Sequence, residues 1–237
     1  MLNVISYDIG TTGLKACLFR IDECIRMIGG EYETYELYIL ENGGAEQDVE
    51  EWWSALCECT KRLLSKTGIR AEEIDGISFC SQMQGLVLVD KDGNALRRAM
   101  SYMDQRGAEQ MNKVQKHGIC VSGVNVGMLQ KSLSLTSAAS TSAKDPLWKY
   151  KWVEENEPEI FAKVHKWLDV KEYLICRMTG EFIMTPDSAY ATFLYDSRPG
   201  HEEFSPALCK MYGIKYEHMP RLIECHEVAG NLRKKQA

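Results

Sequence analysis

Tyr7-Asp8-Ile9-Gly10-Thr11-Thr12-Gly13-Leu14-Lys15 is the stretch on which the reading of this chain turns. Leu2-Asn3-Val4-Ile5-Ser6 before it is rich in β-formers, and Leu14 to Arg20 after it alternates apolar Leu14, Ala16 and Leu18 with Lys15 and Cys17. A period of two on either side of a Gly/Thr turn predicts two strands joined by a tight connection. Gly10 and Gly13 are expected to take φ > 0 there and to bring backbone N–H groups close to a ligand. Thr11 and Thr12 add hydroxyl donors, and Asp8 places a carboxylate at the end of the first strand. Such a turn cradles phosphate through backbone donors while the carboxylate holds magnesium through water. The same spacing also fits an ordinary hairpin with a capping Asp, since short Gly/Thr turns are common.

Composition narrows the class. With 237 residues, 45% hydrophobic and 26% charged, the chain is long enough for one large domain or two small ones with a real core. A formal charge of −6 leaves no electrostatic footprint for nucleic acid. The one basic run, Arg233-Lys234-Lys235, is read as a solvated helix end. No apolar run reaches membrane-spanning length and the first residues lack a signal peptide's basic region, so the expected location is the cytoplasm, with no membrane partner. Nine scattered cysteines, without a CxxC pair, are expected to be free thiols acting as small buried hydrophobes. Cys57 and Cys59, two apart on an expected helix, point to different sides and cannot chelate one ion together.

In chain order, Ile25 to Ile39 reads as a third strand or strand pair punctuated by Gly29-Gly30. Asp48 is an N-cap with Glu51 at N3 as a capping box, opening a helix to about Ser65 that Gly68 stops. Its apolar face is Val49, Trp52, Trp53, Leu56, Leu63 and Leu64, with the paired Trp residues as core anchors. Strands at Ile74–Cys80 and Leu86–Val89 follow, the latter ending in the turn Asp90 to Asn94. The order β-β-β-α-β-β argues against a Rossmann sheet, and no G-x-x-x-x-G-K-[ST] occurs. Helices are expected at Ala108–Lys116, Leu147–Glu155, Glu159–His165 behind Pro158, from Asp169 through Met178 with Gly180 at C′, and at Pro206–Tyr212. Residues 119–144, rich in Ser, Thr, Gly and Ala, read as a long irregular binding loop.

Several segments together resemble the FGGY family of carbohydrate kinases, within the actin, hexokinase and sugar-kinase superfamily. Asp8 to Gly13 resembles its first phosphate motif, and Glu46-Gln47-Asp48 with Trp52-Trp53 is similar to its E-Q-D-P-x-x-W-W segment. Ile77 to Gly85 is similar to the xylulokinase-type G-I-S-x-x-x-Q-M-H-G, and Tyr102-Met103-Asp104-Gln105-Arg106 to W-x-D-x-R. Asn156 to Glu159 and Lys171 to Gly180 match the E-x-P-E and K-D-Y-L…L-T-G stretches. Six such segments in register span nearly the whole chain. Gln84 replaces the usual xylulokinase His and Tyr102 the usual Trp, so the departures fall in the expected sugar pocket and bear on substrate identity.

The resemblance implies an α/β fold: an actin-like ATPase (ribonuclease H-like) domain with a mixed five-stranded sheet, helices and a helical or irregular insertion. It implies that residues 1–237 are the N-terminal, sugar-binding domain of a kinase that uses ATP and Mg2+ on a ketopentose or related polyol. Asp8 would serve magnesium and phosphate, and Gly10, Thr11, Thr12 and Gly13 would face the transferred phosphate. Lys15 would lie near it or sit solvated on the second strand. Gln82, Met83 and Gln84 would meet the sugar, Met83 as an apolar floor and Gln84 as an amide donor and acceptor. Asp104 and Arg106 would fix the polyol through charge-assisted bonds beside Tyr102, or else pair with each other at a loop edge. The family's catalytic base, in a G-x-x-D segment, and its nucleotide-binding C-terminal domain are expected beyond the Val228–Leu232 stretch, outside this chain. Asp169, Asp187 and Asp196 are not in the base's position. A gluconate or sugar-acid kinase, a non-catalytic sugar-binding module, and an actin-like or chaperone ATPase are the alternatives, and a homodimer remains open.

Overall fold

The computed structural model describes residues 1–121 and 123–234. They divide into two compact units, one of residues 1–38 and 47–82, the other of residues 39–46 and 83–237. In the first unit β1 (Leu2–Ile9) pairs antiparallel with β2 (Gly13–Ile21), setting Asp8 opposite Lys15 and Ile9 opposite Leu14. The alternation read from the sequence is what buries Ile5, Tyr7 and Ile9 of β1 and Leu14, Ala16 and Leu18 of β2. β3 (Ile25–Thr34) runs antiparallel to β2, with a bulge that skips Ile28 opposite Leu18 and Phe19.

After the short strands β4 (Tyr38–Ile39) and β5 (Ala45–Gln47), α1 (Val49–Thr67) packs on β2 and β3. Asp48 accepts from the Glu50 N–H at 3.0 Å and Gly68, at φ +70°, ends the helix. Glu51 does not close a capping box. It accepts instead from the Glu36 N–H and the Tyr38 hydroxyl, partners more than twelve residues away that sequence spacing cannot reveal. Trp52, Leu56 and Leu63 are buried, each contributing about 1.5–3 kcal/mol by its removal from water. β6 (Gly76–Ser81) then lies parallel to β1, giving the mixed order β3-β2-β1-β6.

The sheet therefore has four strands among the described residues, one fewer than expected. β7 (Val87–Val89) is not its fifth strand. All three β7 residues are buried, and such an unalternating apolar run names no partner in advance. Further along come β8 (Ala99–Met100), α2 (Ala108–Gln115), β9 (Cys120–Val121), β10 (Val124–Asn125), α3 (Val126–Thr136), α4 (Pro146–Asn156) and α5 (Pro158–Phe161). β11 (Lys166–Leu168) is the strand that takes β7, antiparallel. α6 (Val170–Thr179), β12 (Ile183–Met184), α7 (Pro186–Ala191), β13 (Tyr195–Asp196), β14 (Glu203–Phe204), α8 (Pro206–Tyr212) and β15 (Arg221–Leu222) complete the second unit. Its core gathers Leu88, Trp148, Tyr150, Trp167, Leu208 and Tyr212.

Four further expectations are revised. Residues 119–144 are not a long irregular loop: they hold the β9–β10 hairpin and α3, whose N-cap Asn125 accepts from the Met128 N–H. The helix escaped notice because its buried positions are Ser132 and Thr136, the former bonded to the Tyr212 hydroxyl at 2.7 Å. The helix expected to reach His165 stops at Phe161, since the His165 N–H is drawn to the Val89 carbonyl at 2.8 Å and β11 follows at once. Arg233 is not in a helix; its N–H donates to the Met178 carbonyl, while Lys235 lies outside the described residues. The cysteines are free, but only Cys59, Cys176 and Cys209 are buried, so packing does not account for all of them.

His218 is buried against the rings of Tyr150 and Phe161, with its Nδ1 2.9 Å from the Tyr150 hydroxyl. Burial, helped by nearby Lys215, lowers its pKa from 6.5 to about 4. The unfolded chain thus binds this proton from about pH 6.5 downward and the folded chain only near 4, so stability falls with acid through that window. Thermal melts between pH 7 and 4 are expected to show a shallower loss of Tm for His218→Asn than for the parent chain.

Candidate functional site

The β1–β2 turn is built differently from its glycine spacing. Neither Gly10 nor Gly13 has positive φ, which corrects the expectation that left-handed backbone is what they supply. Gly13 is needed for close approach: a Cβ there would sit 2.5 Å from both the Glu33 carbonyl oxygen and the Tyr32 hydroxyl of β3. At Gly10 a Cβ would lie 3.2 Å from the Gly13 carbonyl oxygen, to which the Gly10 N–H donates at 3.0 Å. That N–H is spent inside the turn.

Every carbonyl from Gly10 to Gly13 is engaged by the protein. Gly10 accepts from the Tyr35 hydroxyl at 2.5 Å, Thr11 from the Gln47 side-chain amide at 2.8 Å, Thr12 from the Tyr35 N–H at 3.4 Å, and Gly13 from Gly10. Burial pushes the Tyr35 hydroxyl well above the usual tyrosine range, so it stays a donor. Gln47 in turn accepts from the Gln82 amide at 2.6 Å, an amide relay that ends on a buried Gln82 oxygen with no protein partner among the described residues. Holding the carbonyls inward is one half of making an anion-binding turn, because it removes negative dipole ends from the ligand side. Asp8 is half-exposed and lies 3.7 Å from the half-exposed Lys15 ammonium, a loose pair worth little in water. Lys15 is therefore the solvated cross-strand partner of Asp8.

In the second unit Met83 and Tyr102 are exposed, while Gln84 is half-buried. Asp104 and Arg106 are buried and do pair with each other, though not at an exposed loop edge. The Arg106 guanidinium bonds Asp104 through Nε and Nη2, at 3.0 and 2.7 Å to Oδ2, and reaches Glu46 Oε1 at 2.6 Å. Its Cζ lies 4.3 Å from the centroid of the Trp152 ring. Asp104 also takes the backbone N–H of Ala45 and of Arg106. Burial penalises the Arg106 charge, but Asp104 and then Glu46 outweigh it and hold the guanidinium above its ordinary range. Arg97 joins the same network, on Glu46 and, 2.8 Å away, on Glu157. This is a fixed scaffold for the 101–107 loop rather than a set of free hydrogen-bonding groups.

Gln84 is one of three non-glycine residues at positive φ among the described residues, here +62°. Asp169 Oδ2 accepts its N–H at 3.0 Å, Asp169 Oδ1 accepts the Gly85 N–H at 2.9 Å, and the buried Lys149 ammonium donates to its carbonyl. Burial raises the Asp169 carboxyl to about 7 and lowers Lys149 to about 8, with each charge easing the other's penalty. The sequence marks Asp169 only as a helix cap and carries no local signal for Lys149, Tyr35 or the contacts of Gln47. The E-Q-D segment was the one signal that pointed at Gln47. Among the described residues no cluster of three or more His, Cys, Asp or Glu is poised to hold a metal, and no helix is long and apolar enough to cross a membrane.

A mixed sheet opened by an antiparallel hairpin, with a polar turn at its head, places the first unit among actin-like ATPase folds. The family model described as FGGY family of carbohydrate kinases, N-terminal domain, matches residues 3–237. The xylulose kinase of Bacillus subtilis strain 168 is 30% identical over 233 residues, covering 98% of this chain and 44% of that protein. Among solved structures, a xyloylose kinase from Brucella ovis superposes with a TM-score of 0.84 at 26% identity, over 98% of this chain and 44% of its own. A gluconate kinase from Lactobacillus acidophilus reaches a TM-score of 0.83 at 23% identity, over 99% of this chain and 44% of its own. The chain belongs to the FGGY family of carbohydrate kinases, and it spans about 44% of the length of these relatives.

Removing the Arg106 fork leaves buried Asp104 without a cation and Glu46 with Arg97 alone. Arg106→Leu is expected to cost about 3–5 kcal/mol in urea unfolding at neutral pH, with Arg106→Lys recovering only part because an ammonium cannot reproduce the fork. A cost under about 1 kcal/mol would mean the network is dispensable to the loop.

Proposed function

We propose that this chain is the sugar-binding half of an ATP-dependent carbohydrate kinase acting on a ketopentose, with xylulose as the first candidate. The observation that carries the reading is the turn whose four carbonyls, from Gly10 to Gly13, are all tied back by the protein. The names of its relatives support the same chemistry. Thr11 and Thr12 offer hydroxyls, and their backbone N–H groups, to the oxygens of the transferring phosphate. Asp8 would hold Mg2+ through water; a single open carboxylate suits an ion that keeps most of its waters and takes phosphate as its other ligand. Bound there, Mg2+ would neutralise charge building on the phosphate oxygens.

On the sugar side, Met83 is the apolar floor, Tyr102 the flat wall and Gln84 the group that reads a hydroxyl. Among the described residues the Gln84 side-chain amide takes no protein partner, so its donor and acceptor are both free for substrate. Asp104 and Arg106 act by fixing the loop that presents Tyr102. Gln82 acts through Gln47 on the phosphate turn. The base that accepts the sugar proton and the adenosine site are assigned to the half of the kinase outside residues 1–237, and the enzyme to the cytoplasm.

A sugar-acid substrate, as the gluconate kinase neighbour's title suggests for that protein, would need a cation for its carboxylate. Arg106, the cation in the matching segment, is instead committed to Asp104 and Glu46. The reading is tested by calorimetric titration of the chain with xylulose, other pentuloses, polyols and gluconate. Xylulose or a close pentulose is expected to bind and gluconate not, with Gln84→Ala weakening the pentulose at least tenfold; tighter binding of gluconate would overturn the substrate class. Residues 1–237 alone are expected to make no sugar phosphate from ATP, and turnover by them would overturn the half-site assignment. Binding without turnover in the joined two-domain protein would identify a non-catalytic sugar-binding module.

A further inference from the structure

We propose that Lys149 and Asp169 form a buried clamp that forces the Gln84 peptide into its left-handed conformation, and so determines which sugar hydroxyl the Gln84 amide addresses. The inference rests on Gln84 contacting the sugar. Left-handed backbone costs a residue with a Cβ about 1 kcal/mol or more, and glycine would adopt it freely. Gln84 sits at φ +62° all the same. The side chain is retained where the backbone would be easier without it.

The bonds that offset this cost converge on one residue, on the peptide groups either side of the Gln84 Cα. Asp169, 4% exposed, accepts the Gln84 N–H on Oδ2, and the Gly85 and Val170 N–H groups on Oδ1 at 2.9 and 2.8 Å. Lys149, wholly buried, donates to the Gln84 carbonyl and to the Ser101 carbonyl at 2.9 Å. Gly85 is bare because a Cβ there would lie 2.7 Å from Asp169 Oδ1 and 2.9 Å from the Val170 side chain. The carboxylate thus comes against the backbone as closely as a missing side chain allows.

Lys149 does more than close the clamp. Its second acceptor, Ser101, precedes Tyr102, so one ammonium spans the segment that carries Gln84 and the segment that carries Tyr102. Lys149 and Asp169 are both buried and present no open face to a ligand in solvent. They are positioning residues. Burying an ammonium and a carboxylate is costly unless both are well bonded, and their bonding here is spent on the two sugar-facing segments and on the cap of α6.

The test is nuclear magnetic resonance of the deuterated chain carrying 13C,15N-glutamine, in the parent, Lys149→Met and Asp169→Asn. Asn keeps the side-chain size but presents an amide where Oδ2 took the Gln84 N–H. The carbon shifts and N–H/Hα coupling of Gln84 are expected to leave their left-handed values in both variants, while amides of the first unit stay in place. Xylulose affinity, followed in the same spectra, is expected to fall about tenfold. Gln84 remaining left-handed in both variants would overturn the clamp. Unchanged xylulose affinity despite a displaced Gln84 would overturn its role in specificity. A parent chain that binds no pentulose at all, with Gln84 still displaced in the variants, would sink the sugar reading and leave the clamp standing. Should either variant fail to fold, adding Gln84→Gly decides: glycine restores folding if the clamp was holding backbone strain, and no recovery would overturn it.

Discussion

The first unit depends on how near β3 passes to the head of the β1–β2 hairpin. With the Glu33 carbonyl and the Tyr32 hydroxyl 2.5 Å from where a Gly13 Cβ would be, no side chain fits between turn and strand. That contact brings Tyr35, just past the end of β3, to the Gly10 carbonyl. The polar turn is therefore shaped from outside itself, by a strand and by Gln47 just before α1, rather than by the conformational freedom of its own glycines. An ordinary hairpin would need none of this. Fixing four carbonyls through two side chains and two backbone amides is the kind of advance ordering that lets a site act on a charged ligand without first rearranging.

The second unit solves its problem with buried charge. Asp104, Arg106, Glu46 and Arg97 form one network under Trp152, and Lys149 with Asp169 form another beneath Gln84. Such networks are a poor route to stability compared with apolar packing, because each ion leaves water. What they supply is direction: a guanidinium fork and a bidentate carboxylate accept few geometries, so the loops they hold have few positions to choose from. Loops are otherwise the least restrained part of a fold.

Legibility in the sequence followed distance along the chain. The β1–β2 hairpin and α1 were plain because their signals are local: alternation about a Gly/Thr turn, Asp48 at one end and Gly68 at the other. The partner of β7 was hidden, since Val87 to Val89 are apolar on every side and do not name the strand they pair with. α3 was hidden because its core face is written in Ser132 and Thr136 rather than in leucine. The mutual pairing of Asp104 and Arg106 is one of the two readings their spacing leaves open, but the remaining bonds of the motif residues are not written locally. Arg106 is fixed by Glu46, sixty positions away, and Gln84 by Asp169, eighty-five away. No spacing rule reaches across such gaps.

Asp169 holds two posts at once, capping α6 and gripping the peptide of Gln84. Under the sugar reading proposed for these segments, anyone redesigning them for a new substrate therefore has unequal freedom among their residues. Met83 and Tyr102, open to solvent, are places where a library can be diversified at small risk to folding. A change at 169 would fray a helix and, on the proposed reading, retune recognition in one stroke, so gains there would be masked by poor yield of folded protein.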